Sequence, residues 1–281
     1  MSSNNASYFS RSFPSDQNVF DGNIYRLDAT PKYAIGFRAG RADGSVFRYS
    51  QFGMAAAVNA ARLVSTVNAD FRAETANCLA VGSAAVAIVG QAELPGTSGS
   101  RFVEVISSLV VANQYAGGYL IIQSGTGSAS GGTYLIKGNT ASFVVGATGH
   151  FTLELYDRLQ TTLDATTDIS IITSPYSDLD MYTRVTKSLP AGVTVSQPAV
   201  ATPFAFVQTF GVCNCLTDAI TPTIGAMVTP SALVVGAVGQ YGGGSVGTLS
   251  GTDVAMGPIL GFYIQAATAA SQAPIFLMLS R

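Results

Sequence analysis

The sequence predicts a mainly β protein: two β-sandwich or β-barrel modules, an extended N-terminal arm, and at most one or two short helices. Three observations predict it. Apolar runs are short and closely bounded by Gly, Pro, Asp or Ser, as in Phe204-Ala-Phe-Val-Gln-Thr-Phe-Gly211, Ala232-Leu-Val-Val-Gly236, Ile259-Leu-Gly-Phe-Tyr-Ile264 and Ile275-Phe-Leu-Met-Leu279. Phe151, Leu153 and Leu155 alternate with Thr152, Glu154 and Tyr156, the period of a half-buried strand. Long amphipathic helical patterns are missing from the 281 residues.

Taken in order, residues 1–22 read as an extended arm. They are polar, broken by Pro14 and Asp21-Gly22, and carry Tyr8, Phe9, Phe13 and Phe20. An arm that orders on a partner uses such aromatics as anchors; packing back on its own domain is the alternative. Residues 23–74 form an N-terminal β segment with Ile24–Leu27, Tyr33–Phe37 and Ser45–Tyr49 as strands. Asp43-Gly44 supplies a hairpin turn, since glycine accepts positive φ. The alanine-rich stretch Phe52–Val64 predicts one short helix, with a loop of small residues as the alternative.

Residues 75–174 predict a central β domain, with strands over Val81–Val89, Phe102–Val111, Tyr119–Ile122, Thr133–Ile136, Phe143–Val145, Phe151–Tyr156 and Ile169–Ile172. The run Gly125–Gly132 links two of them as a long-looped hairpin. Residues 175–202, with Pro175, Pro190 and Pro198, read as a linker. Residues 203–281 predict a small C-terminal β-barrel-like domain, with the glycine-rich loop Gln240–Gly247 at its surface.

Charged residues are only 11% of the chain, against roughly 25% in an average domain. Such a surface suits a protein covered by neighbours, so an oligomer or lattice member is expected. The net charge of −2 and the lack of a basic stretch give no footprint for nucleic acid. Basic residues do gather early, with Arg38, Arg41 and Arg48 among them. These are ordinary solvated side chains or a segment docking on an acidic partner surface. No run reaches the ~20 apolar residues of a membrane-spanning helix, and the first ten residues lack a charged and an apolar targeting region. Cys78, Cys213 and Cys215 have no metal-ligand spacing and read as three free thiols acting as small apolar groups.

Patterns that could carry catalysis lack their context. Gly243-Gly-Ser-Val-Gly247 matches a nucleophile elbow, but no helix follows Ser245 and the single histidine, His150, precedes it. The same loop matches a dinucleotide fingerprint without a strand–helix unit around it. His150 reads as a turn residue at the entry to the Phe151 strand. Asp178 and Asp180 lack the further oxygen ligands of a calcium loop. Neither a catalytic site nor a cofactor or metal site is expected.

Several segments are similar to a family. Gly44-Ser-Val-Phe-Arg-Tyr49 and the alanine-rich stretch after it resemble the early part of capsid-associated structural proteins of tailed bacteriophages. Val111–Leu120, Tyr134–Asn139 and Leu153–Asp157 continue the likeness. Val207–Gly211 and Pro274–Leu279 resemble the small β-barrel of phage decoration, or cement, proteins. The resemblance spans most of residues 40–280 through turns and strand patterns. It implies a non-enzymatic virion protein, assembled in the host cytoplasm, that binds the major capsid protein on the outer shell. It also implies self-association, with a homotrimer favoured, and stabilised contacts between capsid subunits. On that reading Tyr8, Phe9, Phe13, Phe20, Arg38, Arg41 and Arg48 are candidate partner contacts. A head-fibre, spike or tail component is the alternative, and a glycan-active virion enzyme using Glu154 or Asp157 a more distant one.

Overall fold

The computed structural model describes residues 22–53, 57–66, 74–77, 94–106, 110–128, 132–145, 148–183, 189–219, 221–231, 233–241 and 258–279. The fold is mainly β, with two sheets and no α-helix among the described residues. The strands in chain order are β1 (Leu27–Asp28), β2 (Arg38–Gly40), β3 (Val46–Gln51), β4 (Leu63–Thr66), β5 (Glu74–Asn77) and β6 (Phe102–Ile106). They continue with β7 (Tyr119–Ser124), β8 (Thr133–Asn139), β9 (Phe143–Val145), β10 (Thr148–Leu155), β11 (Asp168–Ile172) and β12 (Leu179–Met181). The last six are β13 (Pro190–Thr194), β14 (Phe204–Leu216), β15 (Met227–Pro230), β16 (Val238–Gln240), β17 (Gly261–Tyr263) and β18 (Gln272–Met278).

The chain divides into two units. One joins residues 1–33, 37–67 and 178–281; the other holds 34–36 and 68–177. In the first, eleven strands form one sheet along the path β12-β4-β13-β14-β18-β17-β15-β16, with β1 and β3 on β14, and β2 on β3. The N-terminal strands therefore share a sheet with the C-terminal ones: Phe206 lies opposite Tyr49 and Val207 opposite Arg48. The stretch read as a linker contributes β12 and β13 to the same sheet. The expected helix over Phe52–Val64 is not formed in its described part. Residues 57–62 are coil and turn, Ala61 has φ 60°, and Leu63 and Val64 enter β4. Alanine's helix preference of under ~1 kcal/mol per residue is weaker than burying Val58, Leu63 and Val64 completely.

The Asp43-Gly44 hairpin forms as its sequence dictates. Gly44 has φ 84° and donates to Arg41 O at 3.0 Å, and the Ser45 amide donates to Asp43 Oδ1 at 2.9 Å. Behind it, Tyr49 is fully buried and its hydroxyl donates to Asp28 Oδ2 at 2.9 Å, which ties β1 to β3. Burial, first, and Asp28 push the Tyr49 phenol up to about 12. Asp28 also pairs with Arg26.

The strands after Phe204 curl on themselves. β14 pairs with β18, β18 with β17, β17 with β15, and β15 with β16; Thr217, just past β14, then bridges back to Val238 of β16. Inside lie Cys213, Cys215, Val228, Val238, Leu260, Tyr263, Ile275 and Leu277. At Gly261 the neighbouring strand comes so close that a Cβ would sit 1.8 Å from Phe276 O, so only glycine fits there.

The second unit holds seven strands along the path β5-β11-β7-β8-β10-β6, with β9 on β10. All its pairings are antiparallel, and Cα atoms of the two end strands, β5 and β6, come within 8 Å. Its interior is filled by alternate residues, among them Val103 and Val105, Leu120 and Ile122, Phe151, Leu153 and Leu155, and Ile169 and Ile171.

Candidate interaction surface

Among the described residues, a continuous apolar surface lies on the outside of the curled C-terminal strands. Strand alternation sends Cys213, Cys215, Ile275, Leu277 and Tyr263 inward, so their neighbours face out. In register, Val212 lies opposite Phe276, Phe276 opposite Phe262, and Phe262 opposite Met227. Four adjacent strands thus present one unbroken row, Val212–Phe276–Phe262–Met227. On one side lie Phe210 and Met278, directly paired, with the Phe210 and Phe276 rings edge to face at 5.3 Å. On the other side lie Pro274 and Ile264, whose amide donates to Pro274 O at 3.1 Å.

The row carries no charge; Asn214, opposite Pro274, donates to Gln272 Oε1 at 2.8 Å at one end, and Thr229 follows Met227 on the same face of β15. Val212 is 58% exposed, Met278 48% and Met227 41%; Phe276 and Phe210 are half-buried. Strands about 4.8 Å apart and rows about 7 Å apart give a patch of roughly 300–400 Å². The largest apolar patch on a typical monomer is about 300–600 Å² and is often functional, so this row is a candidate contact surface.

This surface was legible only in part. Phe276-Leu277-Met278 and Phe262-Tyr263-Ile264 are apolar at both parities, which in a sequence signals a strand buried on both faces. One parity is buried in the structure and the other is open.

Of the sequence-derived contact residues, Tyr8, Phe9, Phe13 and Phe20 lie outside the described residues. Arg38 and Arg48 are brought directly opposite each other on β2 and β3. Arg41 stands at the hairpin that joins these strands, where its amide donates to Ser45 O at 2.9 Å.

The possible chemical groups fall elsewhere. Ser245 and its glycine loop lie outside the described residues, as does Cys78. Cys213 and Cys215 are free thiols inside the curled strands; burial pushes both upward, Cys215 to about 12, which removes thiolate character. Asp180 Oδ1 accepts from the Met181 amide at 2.7 Å, and no cluster of three or more potential metal-ligating side chains occurs among the described residues.

His150 is not a turn residue. It lies within β10 opposite Ile106, is 6% exposed, and stacks on Phe143 at 6.0 Å. Its Nδ1 is 3.3 Å from Glu104 Oε1 on β6, too poorly aligned for a hydrogen bond, and neither atom has another partner. Burial raises the Glu104 carboxyl above its ordinary range, and His150 opposes that shift. Glu154 pairs with Lys137 at 2.5 Å on the outer face of the same unit.

No protein-family model and no curated protein matches this chain.

Proposed function

We propose that this chain is a structural protein of an assembled particle: a decoration or cement protein that binds the major capsid protein, and further copies of itself, on the outside of a virion shell. The capsid setting and the favoured trimer rest on the family resemblance of the strand and turn segments. The uncharged row Val212–Phe276–Phe262–Met227 is the observation that supports assembly. At ~25 cal/mol/Å², covering roughly 350 Å² of it releases about 9 kcal/mol. Association itself costs on the order of 4–15 kcal/mol, so one such contact is marginal and several held together in a lattice are firm. That arithmetic favours a protein that works in repeated copies on a shell. The scarcity of charge, 11% of residues, points the same way.

The test is mass spectrometry of purified particles with copy number per shell. A cement protein is present in proportion to the shell subunits, because closed symmetry repeats its site. A few copies per particle would instead identify a head-fibre, spike or tail component, and absence from particles would overturn the reading. Added back to particles lacking the protein, a Phe262→Ser, Phe276→Ser double variant is expected to fold and to lose binding.

A further inference from the structure

The second unit holds a buried pair of titratable side chains on the outer face of its sheet. In β6, Val103 and Val105 point inward, so Glu104 points outward, between Phe102 and Ile106. In β10, Phe151 and Leu153 point inward, so His150, Thr152 and Glu154 point outward. Glu104 lies opposite Thr152, and His150 lies opposite Ile106, the next outward pair along the ladder. Both are covered: Glu104 is 5% exposed and His150 6%. Polar groups so deeply covered are as a rule hydrogen-bonded. Here Glu104 Oε1 and His150 Nδ1 stand 3.3 Å apart without the alignment of a hydrogen bond, and neither has another partner. The neighbouring groups on this face are Thr152, Phe143 of β9 opposite His150, and Glu154, which pairs with Lys137 of β8. Of these groups and His150, only His150 acts on the Glu104 carboxyl.

The Leu155 amide donates to Arg101 O at 2.8 Å, so alternation makes Val103–Leu153 and Val105–Phe151 the hydrogen-bonded pairs of the β6–β10 ladder. Glu104 sits between them, at the centre of β6. Opening this ladder takes Glu104 out of its covered position and away from His150. Charge counting then couples the ladder to pH. With one proton between them, a small side-chain rotation lets the two groups share it as a hydrogen bond, and the pair has no net charge. Without that proton, a net negative charge is held out of water, which burial opposes. Burial raises the Glu104 carboxyl above its ordinary value near 4.5, and His150 opposes that shift. In the opened ladder the carboxyl returns to its ordinary value, so the closed ladder binds the proton more tightly. The stability this adds is complete below about 4.5 and is lost as pH rises through the raised value.

We propose that Glu104 and His150 form a pH-set latch on the β6–β10 ladder. One shared proton holds the ladder shut, and its loss lets the ladder open while the rest of the second unit stays folded.

The test is hydrogen exchange of the isotope-labelled full chain. It is read at the Val103 and Val105 amides at about pH 5 and about pH 8, with each rate divided by its intrinsic value. Protection is expected to be at least about tenfold lower at the higher pH, because a displacement of one carboxyl by one unit changes the opening equilibrium tenfold. Amides of the β7–β11 ladder in the same unit are expected to keep their protection. Glu104→Gln is expected to remove the pH dependence, and Glu104→Leu, which removes the polar group altogether, to do the same. His150→Phe keeps a ring against Phe143 but offers the carboxylate no N–H, and is expected to lower protection at pH 8 below that of the parent. Glu154→Gln, on the same ladder but exposed, is expected to leave the pH dependence as it is. A flat profile in the parent would overturn the proposal, as would a pH dependence that survives both Glu104 variants. Equal loss in the β7–β11 ladder would also overturn it, because the whole unit would then be unfolding. His150→Phe matching the parent at pH 8 would remove the histidine from the latch and overturn the shared proton. None of these measurements involves particles or the apolar row, so the latch and the capsid reading can fail separately.

Discussion

Strand β8 of one unit and strand β18 of the other are seven residues each and obey the same alternation, yet they present opposite outer faces. Along β8, Tyr134 and Ile136 are buried while Thr133, Leu135 and Lys137 face out. Along β18, Ala273, Ile275 and Leu277 are buried while Pro274, Phe276 and Met278 face out. The inward halves do the same work in both, filling an interior with branched and aromatic groups. The outward halves differ: β8 and its partner β10 carry the Lys137–Glu154 pair, whereas β18 and its neighbours carry the uncharged row. Two sheets with equivalent interiors thus differ in what their outsides are suited to meet, water in one case and another apolar surface in the other.

The comparison breaks most sharply by truncating one residue from each side of it. Leu153 is fully buried in the second unit. Leu153→Ala leaves a cavity and is expected to cost about 2–5 kcal/mol, read as a lowered melting temperature or denaturant midpoint. Phe276→Ser removes a half-buried outer ring that meets Phe210 edge to face and lies opposite Val212 and Phe262, but leaves the inner core of its unit intact. Its expected effect on stability is about 1 kcal/mol or less, while self-association in sedimentation falls. Equal destabilisation by the two would mean that Phe276 serves the fold of its own unit and not a contact.

Much of this contrast was readable in advance, and the part that was not has a physical reason. Period-two alternation at Phe151–Leu155 identified β10 and its buried parity, and Asp43-Gly44 identified the β2–β3 hairpin with its glycine at positive φ. Those signals are local, because turn chemistry and pleat are set by neighbouring residues. Nothing local tells that Val46–Gln51 pairs with Phe204–Phe210 across more than half the chain, or that the proline-bearing stretch at Pro190 supplies a strand. Pairing partners are chosen by the whole fold. The Arg38–Arg48 juxtaposition follows from register within a recognised hairpin, so it was nearly in reach; the apolar row needed four strands placed side by side. His150 was misread because its flanking Gly149 suggests a turn, whereas β9 extends the pairing and carries the histidine into the sheet.

A smaller effect probes a place where the outer face of the second unit is not wet. Glu104 and His150 lie on that face and are buried. Burial raises the Glu104 carboxyl, so between its unfolded value near 4.5 and its higher folded value the native state binds more protons than the unfolded chain. The associated stability is fully present below about 4.5 and is lost as pH rises through the folded value. Glu104→Gln keeps the shape and removes the titration. It is expected to raise the melting temperature relative to the parent at neutral pH and to leave it unchanged at pH 4. A fall at neutral pH would show instead that the pair is ionised and that its mutual attraction exceeds the cost of burying it.

The smallest expected effect concerns the wet side of the comparison. Lys137 and Glu154 pair across β8 and β10 with side chains 51% and 37% exposed. Water competes for both groups, and fixing two flexible side chains costs entropy, so such pairs contribute roughly 0–1 kcal/mol. Lys137→Ala is expected to shift the denaturant midpoint by no more than that, with the shift shrinking further in high salt. It is also expected to leave self-association unchanged, since removing one charge does not create an apolar row: Leu135 would stand beside an alanine and not beside rings in register across four strands. If Lys137→Ala instead promoted association, a lone charge would be what keeps the second unit apart from its neighbours, and the difference between the two outer faces would lie in that charge and not in the apolar register of β14, β18, β17 and β15.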